Sequence, residues 1–296
     1  MNSAEMTAKI AGGKGFIAAL DQSGGSTPKA LAGYGIEAGA WNDEAEMYGL
    51  IHEMRCRIIR SKMFSGEKVL GAILFERTMD GSVDNTSVPA ALITKGIVPF
   101  IKIDKGLEDE ANGVQLMKPM PDLDALLVRS KALGVYGTKE RSVINSADAT
   151  GIAAIVAQQF EVGRQVLAHG MMPMLEPETN IKSATRAECD TILLAELLKC
   201  LDGMDQQVML KLSLPVVPGT FDALTSHPKV LRVVALSGGF ERPEVCAELA
   251  KNRGIIASFS RALLQDLRCV MSDAEFDAAL GGAINEIYTG STVKTV

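Results

Sequence analysis

Lys211 stands inside the run Val208-Met209-Leu210-Lys211-Leu212, too apolar a setting for an ordinary solvated lysine. An amine kept partly desolvated and near other cations has a lowered pKa and attacks carbonyl carbon. The same lysine also suits a structural salt bridge with Glu176 or Glu178, and the local sequence leaves both readings open. Glu176-Pro177-Glu178 sets two carboxylates on one face of an extended chain, where mutual repulsion can hold one proton for general-acid work. The two acids could equally neutralise Lys139 and Arg141. Asp21 and Ser23, Lys102 and Asp104, Lys139 and Arg141, and Lys211 and Ser213 repeat this i, i+2 spacing where an apolar run gives way to polar residues.

Two further apolar runs lead into Ser237-Gly238-Gly239 and Ser258-Phe259-Ser260-Arg261. Glycines let backbone N–H groups approach an anion, and Arg261 at a helix start adds charge, so these two turns together read as a phosphate site. Brought to one place, the residues make five cations, Lys102, Lys139, Arg141, Lys211 and Arg261, against four carboxylates, Asp21, Asp104, Glu176 and Glu178. That would be a cationic site in a chain whose formal net charge is -6. Neither metal nor cofactor is expected. His52, His169 and His227 lie far apart and read as forming no H-x-x-x-H or His/Cys group, which argues against zinc. The G-G-K-G near Gly12 lacks the spacing of a P-loop, and no G-x-G-x-x-G follows a strand, so no nucleotide site is read.

The elements that must position these residues are short apolar runs alternating with segments of three-to-four-residue periodicity, the pattern of strand and helix in turn. Eight strands are expected, over 16–20, 69–75, 98–103, 134–138, 172–175, 208–210, 231–236 and 255–259. Three helices carry their own signals: one capped by Asp122 and ended by Gly134, one from about Ser146 to Gly170, and one from near Ser183 to Gly203. Eight alternations imply parallel strands, which close most simply into a single (β/α)8 TIM barrel, with an open doubly wound sheet as the competitor. No linker or repeat divides the 296 residues, so one barrel domain is the economical reading. The i, i+2 pairs favour the barrel, because they would converge on one mouth at the carboxyl ends of the strands.

Composition narrows the role. Hydrophobic residues make up 47% and charged residues 22%, enough to build a core without a lipid-facing surface, and no run of about 18 apolar residues offers a membrane span. Net acidity without a basic run excludes an electrostatic footprint for nucleic acid or an anionic membrane surface, leaving a small-molecule partner. Five scattered cysteines and a start without a signal-like stretch fit a cytoplasmic protein with reduced thiols. An amphipathic outer helix and a subunit interface look alike here, so homo-oligomerisation stays open.

The series G-K-G-F-I-A-A-L-D-Q-S-G-G-S, F-I-K-I-D-K-G, K-E-R, P-M-L-E-P-E, L-K-L, L-S-G-G and F-S-R-A-L, in that order, resembles class I fructose-1,6-bisphosphate aldolase, particularly its shorter bacterial form. The resemblance runs from about Gly12 to Leu264. It implies a metal-independent lyase of glycolysis and gluconeogenesis, in which Lys211 forms a Schiff base with the ketose carbonyl. Glu176 would then move protons during carbinolamine formation and dehydration, and Asp21 would help take the C4 hydroxyl proton. Lys139 would be the second lysine beside the imine, and Glu178 a supporting carboxylate. Ser237, Gly238, Ser260 and Arg261 would bind the sugar phosphate near the Schiff base, and Ser23, Ser26, Lys102 and Arg141 the far phosphate. Relative to the longer animal form, Ala30 stands where an arginine does, Glu140 replaces a tryptophan, and Ser260 replaces a glycine. Rivals are a Schiff-base aldolase for another ketose such as tagatose bisphosphate, a non-catalytic sugar-phosphate-binding barrel, and a pyridoxal-phosphate enzyme.

Overall fold

The structure is a computed structural model that describes residues 1–295. Eight parallel strands run through it: β1 Phe16–Leu20, β2 Val69–Leu74, β3 Val98–Lys102, β4 Gly137–Ile144, β5 Met172–Thr179, β6 Val208–Ser213, β7 Val230–Leu236 and β8 Ile255–Phe259. Their order is β3-β2-β1-β8-β7-β6-β5-β4, and pairing of Phe100 with Gly137 and of Lys102 with Lys139 joins β3 to β4. That pairing closes the sheet into a (β/α)8 TIM barrel and excludes the open alternative.

Period-two alternation decides what faces inward. Ile17, Val98, Phe100, Met174, Met209, Val234 and Ile256 form one apolar cluster, while their strand neighbours Phe16, Ile101, Leu175, Leu210 and Ala257 join a larger cluster with the surrounding helices. Two residues further along the inward face come Lys102, Glu176 and Lys211, so the barrel changes from hydrocarbon to charge toward the carboxyl ends. Phe100 meets Tyr136 edge-on, with centroids 5.5 Å apart. A Cβ on Gly137 would lie 2.9 Å from the Phe100 ring, so only glycine fits beside it.

The helix Ser3–Gly12 adds Met6 and Ile10 to the interior cluster. Its start is a capping box, with Glu5 N–H donating to Asn2 Oδ1 at 3.0 Å and Asn2 N–H to Glu5 Oε2 at 2.7 Å. Arg232 Nη1 donates to Ala11 O at 2.6 Å and ties the helix to β7.

Several boundaries differ from the sequence reading. β4 begins at Gly137 rather than 134, because the helix Leu123–Ala132 is followed by a left-handed Gly134 (φ 84°) before the strand can start. Asp122 precedes that helix without a side-chain capping bond. The second helix is Ala149–Ala168, capped by Asp148 accepting from Gly151 N–H at 2.8 Å, and the third is Arg186–Asp202. β4, β5 and β6 all extend past their apolar runs, so the charged pairs lie within strands. Register pairs Arg141 with Glu176 and Val143 with Glu178, and the ladder continues regardless of side-chain polarity.

Candidate active site

A cavity of about 820 Å³ opens at the carboxyl ends of the strands, and every residue named from the sequence as catalytic or phosphate-binding lines it. Ser213 does not reach it; its hydroxyl donates to Thr179 O at 2.7 Å within the wall. Lys29, Arg268 and Glu241 also line the cavity, raising the count to seven cationic side chains against five carboxylates. The mouth is therefore cationic inside a chain of net charge -6.

At its floor Lys139 and Lys211 are 3% and 4% exposed. Lys139 Nζ lies 2.7 Å from Asp21 Oδ2, 3.0 Å from Glu176 Oε2 and 4.0 Å from Asp104 Oδ2. Glu176 turns its other oxygen, Oε1, to Lys211 Nζ at 3.1 Å. One carboxylate thus bridges two amines. Of the two carboxylates open to Lys211 in the sequence, Glu176 is the one that forms the salt bridge.

Burial alone would push Asp21 up, but Lys139, Lys211 and Lys102 outweigh it and hold this carboxyl well below the usual range. Burial likewise opposes the Lys139 cation, and Asp21, Glu176 and Asp104 more than compensate, keeping it protonated. At the rim Lys102 Nζ pairs with Asp104 Oδ1 at 2.7 Å and donates to Asp104 O at 2.8 Å, while Arg141 Nε holds Glu178 Oε2. Ser26 Oγ donates to Ser23 O at 2.8 Å and accepts from Ser23 N–H at 2.9 Å, fixing the turn after β1. Gly238 has φ 61°, and a Cβ there would sit 2.6 Å from Ile181, so the Ser237-Gly238-Gly239 turn requires glycine.

Three features go beyond the sequence reading or correct it. Arg55, from the helix Glu44–Arg60, is fully buried under the cavity and grips Gln22, which lines it. Glu140, between Lys139 and Arg141, is also fully buried, and neither of its oxygens has a hydrogen-bond partner. The signal for it was the strand's own alternation, which turns Glu140 to the opposite face from Lys139 and Arg141. His52 and Cys56 do form a His/Cys group, contrary to the sequence reading: one helical turn apart, they bring Nε2 and Sγ to 3.3 Å beside Glu53. Both approach Ser82 O, which joins this helix to the short hairpin 82–87.

The site is thus a cationic cavity at the carboxyl end of a closed barrel, with two buried lysines bridged by one carboxylate at its floor. The sequence matches the family described as fructose-bisphosphate aldolase class-I over residues 3–217, and the chain belongs to that family of lyases. Among solved structures, a fructose-bisphosphate aldolase from Plasmodium falciparum is similar at TM-score 0.77 and 19% identity, over 99% of this chain and 96% of that one. An archaeal fructose 1,6-bisphosphate aldolase aligns at TM-score 0.55 and 13% identity, covering 96% and 99%. A Schiff-base-forming fructose-1,6-bisphosphate aldolase aligns at TM-score 0.54 and 13% identity, covering 96% and 100%. Among the described residues no helix is long and apolar enough to cross a membrane, and the five cysteines are free thiols.

Proposed function

We propose that this chain, as one catalytic barrel domain, reversibly cleaves fructose 1,6-bisphosphate to dihydroxyacetone phosphate and glyceraldehyde 3-phosphate through a Schiff base on Lys211. The observation that carries the reading is Glu176 bridging Lys139 at 3.0 Å and Lys211 at 3.1 Å, with Asp21 2.7 Å beyond Lys139. Lys211 Nζ adds to the ketose carbonyl, and Glu176, in contact with that nitrogen, passes the protons needed to form the carbinolamine and expel water. The resulting iminium accepts the electron pair of the C3–C4 bond. Asp21, held as a carboxylate by its lysine neighbours, takes the C4 hydroxyl proton as that bond breaks. The aldehyde departs, the enamine gains a proton at C3, and hydrolysis frees the ketone product and Lys211.

Two anionic ends need two cationic sites. Ser237, Gly238, Ser260 and Arg261 serve the phosphate near the imine, and Ser23, Ser26, Lys102 and Arg141 the far one. Lys102 and Arg141 already hold Asp104 and Glu178, so a far phosphate must compete with those carboxylates. The near site is the less encumbered of the two.

The test is borohydride reduction in the presence of dihydroxyacetone phosphate, followed by peptide mapping. The expected result is irreversible inactivation with the adduct on Lys211; an adduct elsewhere, or none, would refute the mechanism. Relative kcat/KM for the C4 epimers then fixes the sugar.

A further inference from the structure

We propose that Arg55, acting through the Gln22 amide, fixes the Ser260 hydroxyl as a hydrogen-bond donor aimed into the cavity, so that this end of the site selects an oxyanion. The inference rests on the phosphate role given to Ser260 above and explains what this serine adds to the site.

Donor and acceptor capacity fixes the direction of each bond in the chain from Arg55 to Ser260. Arg55 is fully buried; the nearby Asp21 charge favours its cation, but its hydrogen bonds go to neutral oxygens. Its Nη1 donates to Thr78 Oγ1 at 2.7 Å, and its Nη2 donates to Gln22 O at 2.5 Å and to Gln22 Oε1 at 3.1 Å. A guanidinium has only donors, so the Gln22 side chain must present its oxygen to Arg55. The amide NH₂ is then forced to the other side, where Gln22 Nε2 donates to Ser260 Oγ at 2.6 Å and lies 3.4 Å from Ala19 O. Ser260 Oγ therefore accepts from Gln22, and its own proton remains for a different partner. Ser260 lines the cavity beside Ser237, Gly238 and Arg261. The partner that suits a lone O–H donor among those groups is an oxygen bearing only lone pairs, as in a phosphate ester. Each bond polarises the next, with a buried cation at the head of the chain.

Gln22 and Arg55 are thus positioning residues: they act through Ser260. Gln22→Glu keeps the shape and gives Arg55 a carboxylate. It reverses the relay, because the second carboxylate oxygen can only accept, and Ser260 must donate to it. KM for fructose 1,6-bisphosphate should rise about tenfold, the scale of one lost hydrogen bond to a charged group, while kcat stays within about twofold. Ser260→Ala should do the same. The double variant should be no worse than Ser260→Ala alone, because both changes remove one donor.

Through-space repulsion by the new carboxylate would instead persist in the Ser260→Ala background and multiply the two effects, and it would shrink in high salt. Multiplying effects, or an unchanged KM in Gln22→Glu, would overturn the relay. The same four proteins titrated with inorganic phosphate by calorimetry separate this inference from the proposed reaction. Absence of wild-type cleavage refutes the reaction, whereas additive losses in phosphate affinity refute the relay.

Discussion

Replacing Glu140 by glutamine asks whether the fold stores this side chain as a neutral acid. Glu140 is 0% exposed, with both oxygens unpartnered. Burial first, then the charge of Asp104 and more weakly that of Glu176, push it well above the ordinary carboxylate value, against opposing pulls from Lys139 and from its own backbone N–H. In the unfolded chain it ionises near the ordinary glutamate value of about 4.3. Above that pH the folded protein holds one proton more than the unfolded one. Stability from this group is therefore complete below the unfolded pKa and is lost as pH rises toward the folded one. The slope is about 1.4 kcal/mol per pH unit while the folded side chain stays protonated.

Glutamine cannot ionise, so the variant lacks that slope. Between pH 5 and pH 7 the stability of Glu140→Gln relative to the parent should therefore rise with pH, for as long as the folded Glu140 keeps its proton. A constant cost of about 1 to 3 kcal/mol for the extra buried N–H donor shifts the whole difference without altering its slope. All other titrating groups are common to the two proteins and cancel. Urea unfolding followed by circular dichroism and by fluorescence of the single tryptophan, Trp41, at pH 5, 6 and 7 measures the difference. Parallel stability curves for the two proteins would show that Glu140 is ionised in the fold and would refute the reasoning.

Other outcomes follow from the cluster itself. Lys211→Arg should abolish borohydride trapping and cut kcat by roughly 10⁴-fold or more, measured by coupled assay, because a guanidinium cannot form the imine. Glu176→Gln should keep the fold but lower kcat by about 10² to 10⁴-fold, with slowed adduct formation in single-turnover trapping. Lys139→Met should cost about 3 to 5 kcal/mol in urea unfolding near neutral pH, because Asp21 and Glu176 lose a buried partner. That loss should shrink as pH falls below the ordinary aspartate value of about 3.9, because Asp21, whose carboxyl Lys139 helps to hold low in the fold, then takes up a proton on unfolding. Prolonged treatment with a chelator should leave turnover unchanged, since the iminium is the electron sink.

Much of the candidate site's geometry was legible in the primary structure because strand periodicity is local. Asp21, Lys102, Lys139, Arg141, Glu176, Glu178 and Lys211 could be assigned to a shared inward face from i, i+2 spacing alone, and all line one cavity. Ser213 shares that spacing yet is spent on Thr179 O, since a wall position depends on how far the neighbouring strand extends. The strand ends at Ile144, Thr179 and Ser213 were misjudged for a related reason: hydrogen bonds between parallel backbones run past the last apolar residue.

What the sequence by itself determined was the order of strands and helices, the face on which each charged residue lies, and a cationic site within an acidic chain. The choice of closed barrel over open sheet, the choice of Glu176 as the acid that bridges Lys139 and Lys211, the grip of Arg55 on Gln22 and the isolation of Glu140 were decided by the tertiary structure. The physical reason is distance along the chain. Alternation follows from neighbouring dihedral angles, whereas a donor 33 residues from its acceptor, or a carboxyl left without a partner, exists only once separate elements have packed.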